Sequence, residues 1–315
     1  MISRRKFIKG TALAIAAGSA GKALPVGASG LQPRLSFSTL GCPAWSLDYI
    51  LDFAVRYGYK GIELRGLLGE LDLTRRPEFT GKTNITSTRK KVGDKGLSIV
   101  DLGSSCQLHH ADKEERKSNL DEARRYIDLA QALGCPYIRV FPDKLPGDRR
   151  DTPAADGQAA GARIAAMDLI GEGLLELAEY AKGSNVSVLL ESHGDCLWLK
   201  DLHYIMKHSA GPRVGMVWDI YNMWSVTKES PTDVYRELKD YIRHTHIKDG
   251  RMIGGAEHYV LLGRGDAPVA EAAKALQRGG YDGFYSLEWE KWWHLEIDEP
   301  DIALSQFPTQ MKSYF

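Results

Sequence analysis

The stretch VSVLLESHGDCLWLKDLHYIMKHSAGPRVGMVWD, residues 186–219, contains two apolar segments separated by an amphipathic one. The outer segments have the length and the β-branched content of buried strands, and residues 199–208 have helical periodicity. A strand, a helix and a second strand in this order predict a parallel βαβ unit. Each of the two strands ends in an acidic residue, Glu191 and Asp219.

The same alternation of strand-like and helix-like segments extends over the rest of the chain. Glycine follows several of the helical segments directly, as is typical of a helix C-terminus. The predicted strands are Leu35–Leu40, Lys60–Leu64, Leu97–Leu102, Tyr137–Phe141, Val186–Glu191, Val214–Asp219, Tyr241–Lys248 and Phe284–Glu290. The predicted helices are Leu47–Tyr57, Ser87–Lys95, Glu114–Leu133, Ile164–Lys182, Leu199–His208, Thr232–Asp240, Val269–Arg278 and Asp301–Lys312.

Eight strand–helix units predict an α/β protein with a single-domain (β/α)8 TIM barrel, which we place at residues 29–315. A doubly wound sheet is the competing fold, but it usually has a glycine-rich phosphate loop after its first strand. Here that position reads Gly41-Cys42-Pro43-Ala44-Trp45. The Pro142–Gly161 stretch, rich in proline, glycine and aspartate, is predicted to be a large loop over the barrel mouth.

Residues 1–28 have the composition of a targeting segment. Arg4, Arg5 and Lys6 precede a weakly apolar run rich in alanine and glycine, and Val26-Gly27-Ala28 follows it as a small-residue cleavage site. The paired arginines predict a twin-arginine signal peptide and the Tat export machinery as a partner. The expected location is therefore periplasmic or secreted, and an amphipathic helix is the alternative interpretation.

Charge and cysteine content exclude several classes of protein. Without the five basic residues of the predicted signal, the chain has 36 basic and 41 acidic residues, which argues against a nucleic-acid-binding protein. No apolar run reaches the length of a membrane span. The cysteines form no CxxC pair, so we expect buried thiols and leave one disulfide open. They are Cys42, Cys106, Cys135 and Cys196.

Ligand-type side chains end each of the last four predicted strands. They are Glu191, Asp219, His246 and Glu288. The C-terminal ends of barrel strands meet at one mouth, and a buried carboxylate is costly unless it is paired or binds a metal. Three carboxylates and one imidazole suit Mn²⁺, Mg²⁺ or Co²⁺, and Zn²⁺ is also compatible. Ion-paired carboxylates without a metal are the alternative interpretation.

Strand periodicity places further polar residues on the same faces. His193, Lys248 and Glu290 each lie two residues from a predicted ligand and are expected to contact either the ligands or a substrate. Glu63 and Arg65 end the second strand, where an ion pair at the barrel mouth and a role in the site are both open.

The chain resembles the xylose-isomerase-like barrel family of sugar isomerases and epimerases, which also contains endonuclease IV. In this family the acids and the histidine that end strands five to eight hold one divalent metal, so the resemblance implies the same four ligands. It is carried by Tyr59–Arg65, Leu189–Glu191, Trp218–Asn222, Thr245–Asp249, Leu262–Gly265 and Gly280–Glu288.

Two departures from the family pattern bear on function. Many ketose epimerases of this type have a histidine three residues after the metal-binding aspartate, where this chain has Asn222. Endonuclease IV uses further histidines on earlier strands for additional metals. Here the third strand leads to His109-His110, but the fourth has none, which disfavours a role in DNA repair.

These observations predict a divalent-metal-dependent sugar isomerase or epimerase that acts through the enediolate of a keto-sugar. Glu191 and Glu288 are the expected acid and base, with manganese as the first choice of metal. A small carbohydrate is the expected partner, and a homo-oligomer is left open. Two alternatives remain, a lyase or dehydratase that splits a 3-keto-glycoside or keto-sugar by β-elimination and a non-catalytic sugar-binding barrel. The expected substrate contacts are His193, Asn222, Lys248, Arg251, His109, Trp45 and Glu290.

Overall fold

The computed structural model describes residues 32–147 and 157–315. Eight of its strands form one parallel sheet in the order β1-β10-β7-β6-β5-β4-β3-β2. The barrel strands are β1 (Arg34–Phe37), β2 (Gly61–Leu64), β3 (Ser98–Gln107), β4 (Tyr137–Phe141), β5 (Ser187–Glu191), β6 (Val214–Asp219), β7 (Ile242–Ile247) and β10 (Phe284–Leu287).

The first and second strands bring the two ends of this sheet together. Ser38 and Glu63 form a parallel bridge, and the Lys60 amide donates to the Leu35 carbonyl at 2.9 Å. The sheet is thus a nearly closed barrel with helices between its strands, which confirms the predicted single-domain (β/α)8 fold.

Alternation along the strands separates two buried layers. In β2, Glu63 stands between Ile62 and Leu64, and all three are buried. Successive side chains of a strand point to opposite faces, so the two apolar residues pack outward against the helices and the acid faces the barrel axis. The apolar layer belongs to one continuous core with the helix residues Ile50 and Leu202. The interior of the barrel is therefore polar, and its charges need partners.

The helices surround this sheet. They are α1 (Leu47–Arg56), α2 (Lys82–Asp94), α3 (Lys113–Leu133), α4 (Gly157–Tyr180), α5 (Leu199–His208), α6 (Ile220–Thr227), α7 (Pro231–Leu238), α8 (Val269–Arg278) and α9 (Pro300–Lys312). Two begin at least five residues earlier than predicted, α2 at residue 82 and α4 at residue 157. The added turns are rich in threonine in α2 and in glycine and alanine in α4, so they lack an apolar stripe that would reveal them. The predicted Pro142–Gly161 loop is correspondingly shorter, and its residues 148–156 lie outside the described part.

Two elements near the mouth are absent from the sequence prediction. The helix α6 begins directly after β6, where the Asp219 side chain accepts from the Asn222 amide at 2.8 Å and caps it. The strands β8 (Asp249–Ile253) and β9 (Ala256–Val260) form an antiparallel hairpin. Its turn holds Gly254 and Gly255, both with positive φ, a pattern typical of tight hairpins.

The structure tests the expectations about membrane spans and cysteines only for the described residues. Among the described helices, none is both long and apolar enough to cross a membrane. Cys42, Cys106 and Cys135 are buried free thiols, and Cys196 is buried as well. The predicted signal segment, residues 1–28, lies outside the described residues, so the twin-arginine prediction stays a prediction.

Candidate metal and substrate site

The four predicted ligands lie together at the carboxyl end of the barrel. Glu191 ends β5, Asp219 ends β6, His246 lies near the end of β7, and Glu288 directly follows β10. The strand register aligns Asp219 with His246, which brings these two side chains to one level of the barrel. All four residues are buried, with exposed fractions of 5 % or less.

The geometry of this cluster fits a divalent cation. His246 Nδ1 lies 3.2 Å from Glu191 Oε1, 3.2 Å from Glu288 Oε1 and 4.0 Å from Asp219 Oδ2. One ligand atom from each residue lies within 4.8 Å of all the others. Ligands held at about 2.1 Å around one ion stand about 3 to 4 Å apart, so a small contraction would suffice to coordinate a metal. Glu191 Oε2 and Asp219 Oδ2 have ion-pair contacts but accept no well-aligned hydrogen bond from the described residues, so both keep lone pairs for a cation.

Lys248 is the cation that this cluster already contains. Its side chain is 1 % exposed, and its Nζ lies 2.8 Å from Asp219 Oδ2 and 2.7 Å from Glu288 Oε2. It also donates to Glu290, which lies at the rim of the cluster. Lys248 therefore compensates three carboxylates, and its ammonium links Glu290 to the cluster.

Arg139 compensates the cluster from the barrel interior. Its side chain is 1 % exposed, and its Nε lies 3.0 Å from Glu191 Oε2. The guanidinium passes over Gly103, where an added Cβ would lie 2.9 Å from the Arg139 side chain. Glycine at position 103 therefore leaves the space that Arg139 needs to reach Glu191.

The charges of the cluster set its protonation states. Burial alone would lower the pKa of His246, but Glu288, Glu63 and Glu191 raise it well above its usual value. Burial raises the pKa of Asp219 to about 7 although Lys248 opposes this. Burial also acts to raise the pKa of Glu191, but Arg139 and His246 lower it below its ordinary value. An ionised Glu191 thus faces a protonated His246, and a metal at this position would replace the proton on Nδ1.

The partners of Glu63 exclude one of the two interpretations that the sequence left open. Its Oε2 accepts from His244 Nε2 and His246 Nε2 at 3.0 Å each and from Ser286 Oγ at 3.1 Å. Arg65, which the sequence offered as a possible ion-pair partner, instead donates to Ser105. The ion-pair interpretation is wrong because the Glu63 side chain crosses the barrel interior to the strand β7.

Asp101 is a second acid beside Glu63. The strand register pairs these two residues, and burial followed by the Glu63 charge raises the pKa of Asp101 to about 8. Neither of its carboxyl oxygens has a hydrogen-bond partner among the described residues. Asp101 is therefore a neutral acid at pH 7, and it titrates at about 3.9 when the chain is unfolded.

This difference predicts how pH changes the effect of replacing Asp101 with asparagine. Between about pH 4 and pH 8 the folded protein keeps a proton that the unfolded chain loses, so wild-type stability falls as the pH rises, by up to about 1.4 kcal/mol per pH unit. The asparagine side chain does not titrate. In urea unfolding of the metal-free proteins, the free energy of unfolding of D101N relative to wild type should increase by more than about 1 kcal/mol between pH 5 and pH 7.5. An equal difference at the two pH values would contradict a protonated Asp101.

His193 lies near Glu191 and packs against residues at and after the end of β4. Its ring packs 4.3 Å from Phe141, and its Nδ1 lies 2.6 Å from Asp143 Oδ1. Burial alone would lower the pKa of His193, but Asp143 and Glu191 raise it. Asp143 has a positive φ of 55°, and Gln107 donates to its other oxygen. No local pattern predicts this pairing, because Asp143 lies in a loop 50 positions away.

The other predicted substrate contacts differ in their neighbours and in their exposure. Asn222 is half-buried on α6, and its backbone N–H donates to the Asp219 carboxylate. Arg251 is exposed on the β8–β9 hairpin. His109 stacks on His110 at 4.2 Å. Trp45 does not join the cluster, because its ring packs 4.8 Å from both Tyr49 and Phe53 at α1. Aromatic neighbours one and two helical turns along explain this packing.

Comparison with protein families finds one match, to the family described as xylose isomerase-like TIM barrel, over residues 51–305. That range includes all four residues of the cluster. A search among curated proteins gave no match.

Solved structures of similar fold cover almost the whole chain. IolI protein with a bound zinc atom has a TM-score of 0.69 at 17 % identity, over 90 % of this chain and 99 % of its own. The 3-keto-D-glucoside 4-epimerase YcjR from E. coli has a TM-score of 0.68 at 15 % identity, over 89 % and 99 %. The probable 3-DHS dehydratase AsbF from Bacillus anthracis has a TM-score of 0.65 at 19 % identity, over 89 % and 97 %. At these identities the likeness establishes the fold.

Proposed function

Because the chain belongs to the xylose isomerase-like TIM barrel family, we propose that it is a divalent-metal-dependent isomerase or epimerase of a keto-sugar. The observation that carries this proposal is the buried cluster of Glu191, Asp219, His246 and Glu288. Manganese is the proposed metal, since three carboxylates and one imidazole suit a hard to borderline cation. We place the enzyme in the periplasm or outside the cell, exported by the twin-arginine route.

The bound cation would polarise the substrate carbonyl and offset negative charge on its oxygen. Glu191 then acts as the base that removes the neighbouring C–H proton, since Arg139 at 3.0 Å from Oε2 keeps this carboxylate ionised. Burial acts to raise the pKa of Glu288, but His246 and Lys248 lower it well below its ordinary value, so Glu288 would relay a proton to the carbon rather than hold one beforehand. The Lys248 ammonium donates to Glu288 Oε2 at 2.7 Å and would supply that proton. Lys248 would then regain a proton from solvent, to which Glu191 releases its own.

The positions of the two glutamates would allow inversion. They come from β5 and β10, with β6 and β7 between them, and each lies 3.2 Å from the same atom, His246 Nδ1. A sugar carbon held between the two glutamates would have one carboxylate on each side. Removal from one face and return on the other inverts the carbon. Asn222, His193 and Glu290 are the side chains that we propose to orient hydroxyl groups.

One observation favours β-elimination as the second candidate function. His193 Nδ1 is hydrogen-bonded to Asp143, so Nε2 is the ring nitrogen that could contact a substrate. The His193 side chain is 39 % exposed. The raised pKa of His193 makes it a proton donor near neutral pH. A leaving oxygen at the next carbon would take that proton, which would split a 3-keto-glycoside.

Turnover in D₂O distinguishes these reactions. The protein would be loaded with Mn²⁺, Co²⁺, Zn²⁺ or Mg²⁺ and given a panel of ketoses and 3-keto-glycosides, with products followed by mass spectrometry and NMR. An epimerase conserves the sugar skeleton and incorporates one deuterium at the inverted carbon, whereas a lyase releases two products. Turnover without deuterium at the reacting carbon would refute proton abstraction. Sugar binding with neither metal uptake nor turnover would identify a binding protein instead.

A further inference from the structure

Glu63 is a completely buried carboxylate that holds two histidines of one strand. It lies on β2, with an exposed fraction of 0 %, and its Oε2 receives the Nε2 hydrogens of His244 and His246 and the hydroxyl of Ser286. These donors lie on β7 and β10. All three hydrogen bonds converge on Oε2, whereas Oε1 has no hydrogen-bond partner among the described residues, so the donors fix the position of Oε2 closely.

The bond to His246 determines which nitrogen can reach the cluster. An imidazole has two ring nitrogens, and the one that carries a hydrogen cannot bind a metal. Glu63 holds the Nε2 hydrogen at 3.0 Å, and Nδ1 then faces Glu191 and Glu288 at 3.2 Å each. The orientation and the tautomer of His246 are thus set from the side of the ring opposite the carboxylate cluster.

We propose that Glu63 is the positioning residue of the metal site, which holds His246 with Nδ1 toward the ion and increases the basicity of that nitrogen. The inference rests on the proposed function, because it assigns a role toward the metal that the function requires. His244 and Ser286 act indirectly, since their hydrogen bonds fix the Glu63 oxygen that accepts from His246.

The adjacent His244 is not equivalent to His246. Its ring stands at 85° to that of His246, with the centroids 5.7 Å apart, and its Nε2 also points to Glu63. Glu63, His244 and His246 have ligand atoms close enough to hold a cation themselves. Their nitrogens and the shared oxygen are already joined by hydrogen bonds, so a positioning role accounts for this arrangement without a second ion.

Metal affinity of the whole chain tests the proposal without reference to turnover. Competition with a chelator would give the Mn²⁺ and Zn²⁺ dissociation constants of wild type, Glu63→Gln and Ser286→Ala. Loss of a partner that orients a metal-binding histidine typically weakens binding about 10- to 100-fold, which we expect for E63Q. S286A removes one of three donors, and we expect a loss of about 2- to 10-fold. The S286A variant remains informative if E63Q fails to fold.

The matched control is Asp101→Asn. Asp101 is the register partner of Glu63 and equally buried, but it contacts neither histidine through a hydrogen bond. An asparagine resembles its neutral form, so D101N should bind metal within about twofold of wild type at pH 7. A general effect of altering a buried acid would change both variants alike.

The histidine NMR signature separates positioning from a merely structural role. In the Zn²⁺-loaded, ¹⁵N-histidine-labelled wild type, His246 should show a protonated Nε2 whose hydrogen exchanges slowly with water. E63Q should lose this protection while D101N keeps it. Unchanged affinity and an unchanged Nε2 signal in E63Q would overturn the proposal.

Two other outcomes also count against it. Two metal ions per wild-type chain, reduced to one in E63Q, would make Glu63 a ligand rather than a positioning residue. A wild-type chain that takes up no metal would refute the proposed function itself. The stoichiometry of the wild type therefore distinguishes failure of the function from failure of this inference.

Discussion

Replacement of Glu288 by glutamine is expected to lower kcat by about 10²- to 10⁴-fold at saturating metal, the usual contribution of a proton-transferring side chain. The amide keeps the shape of the carboxylate and an oxygen near His246 Nδ1, 3.2 Å away in the wild type. It cannot carry the proton that the carboxyl group would return to the substrate. Measurement of kcat on the substrate identified by the D₂O screen checks this expectation.

The same variant distinguishes the roles of the two glutamates. If Glu191 removes the proton, E288Q should still wash deuterium out of a labelled substrate while inversion stops. The control is Glu271→Gln, because Glu271 lies on α8 and its carboxylate bonds only Ser230 and Thr232 among the described residues. Its kcat should stay at the wild-type value. Inversion by E288Q within threefold of wild type would show that Glu288 transfers no proton.

The cluster was predictable because its signal is local in each strand. A carboxylate or histidine at the end of an apolar, doubly buried strand needs a partner, and the barrel fold brings consecutive strand ends to one mouth. Glu191, Asp219, His246 and Glu288 follow from this argument, and the structure brings them together. Lys248 and Glu290 follow from the period of two, and they join the same network.

The partners that cross the barrel could not be predicted in this way. Glu63 and His246 are 183 positions apart, and nothing local in either strand indicates that they meet. An acid between Ile62 and Leu64 was nevertheless a signal, since such a residue must find a partner inside the barrel. The sequence offered the nearest cation, Arg65, as one possible partner and left a role in the site open, but an interior position is matched by residues across the axis.

Loop geometry was the second feature of the site that could not be predicted from the sequence. The pairing of His193 with Asp143 depends on a positive φ at Asp143 and on Gly194, where an added Cβ would lie 2.3 Å from the Asp143 carbonyl oxygen. Strand periodicity places His193 on the axis side with Glu191, but the chain leaves β5 at residue 191 and that period no longer applies. Residues beyond a strand end therefore need the structure.

Replacement of Lys248 by methionine is expected to destabilise the metal-free protein by about 3 to 5 kcal/mol, the typical cost of removing one partner from a buried ion pair. Methionine preserves most of the side-chain volume, so the loss measures charge rather than packing. Asp219, Glu288 and Glu290 would be left without the ammonium that lies among them. Urea unfolding of the chelator-treated proteins gives the free energy of unfolding.

A divalent cation should reverse this loss, because it supplies positive charge to the same carboxylates and no longer meets a competing ammonium. Saturating Mn²⁺ should therefore stabilise K248M by more than it stabilises wild type. Lys291→Met is the matched control, since Lys291 is 7 % exposed and its Nζ bonds the Leu295 and Ile297 carbonyls and Glu299. K291M should also be destabilised, but metal should stabilise it only as much as wild type. Equal metal stabilisation of K248M and wild type would mean that Lys248 and the metal do not act on the same carboxylates, and the proposed cation site at Asp219 and Glu288 would fail.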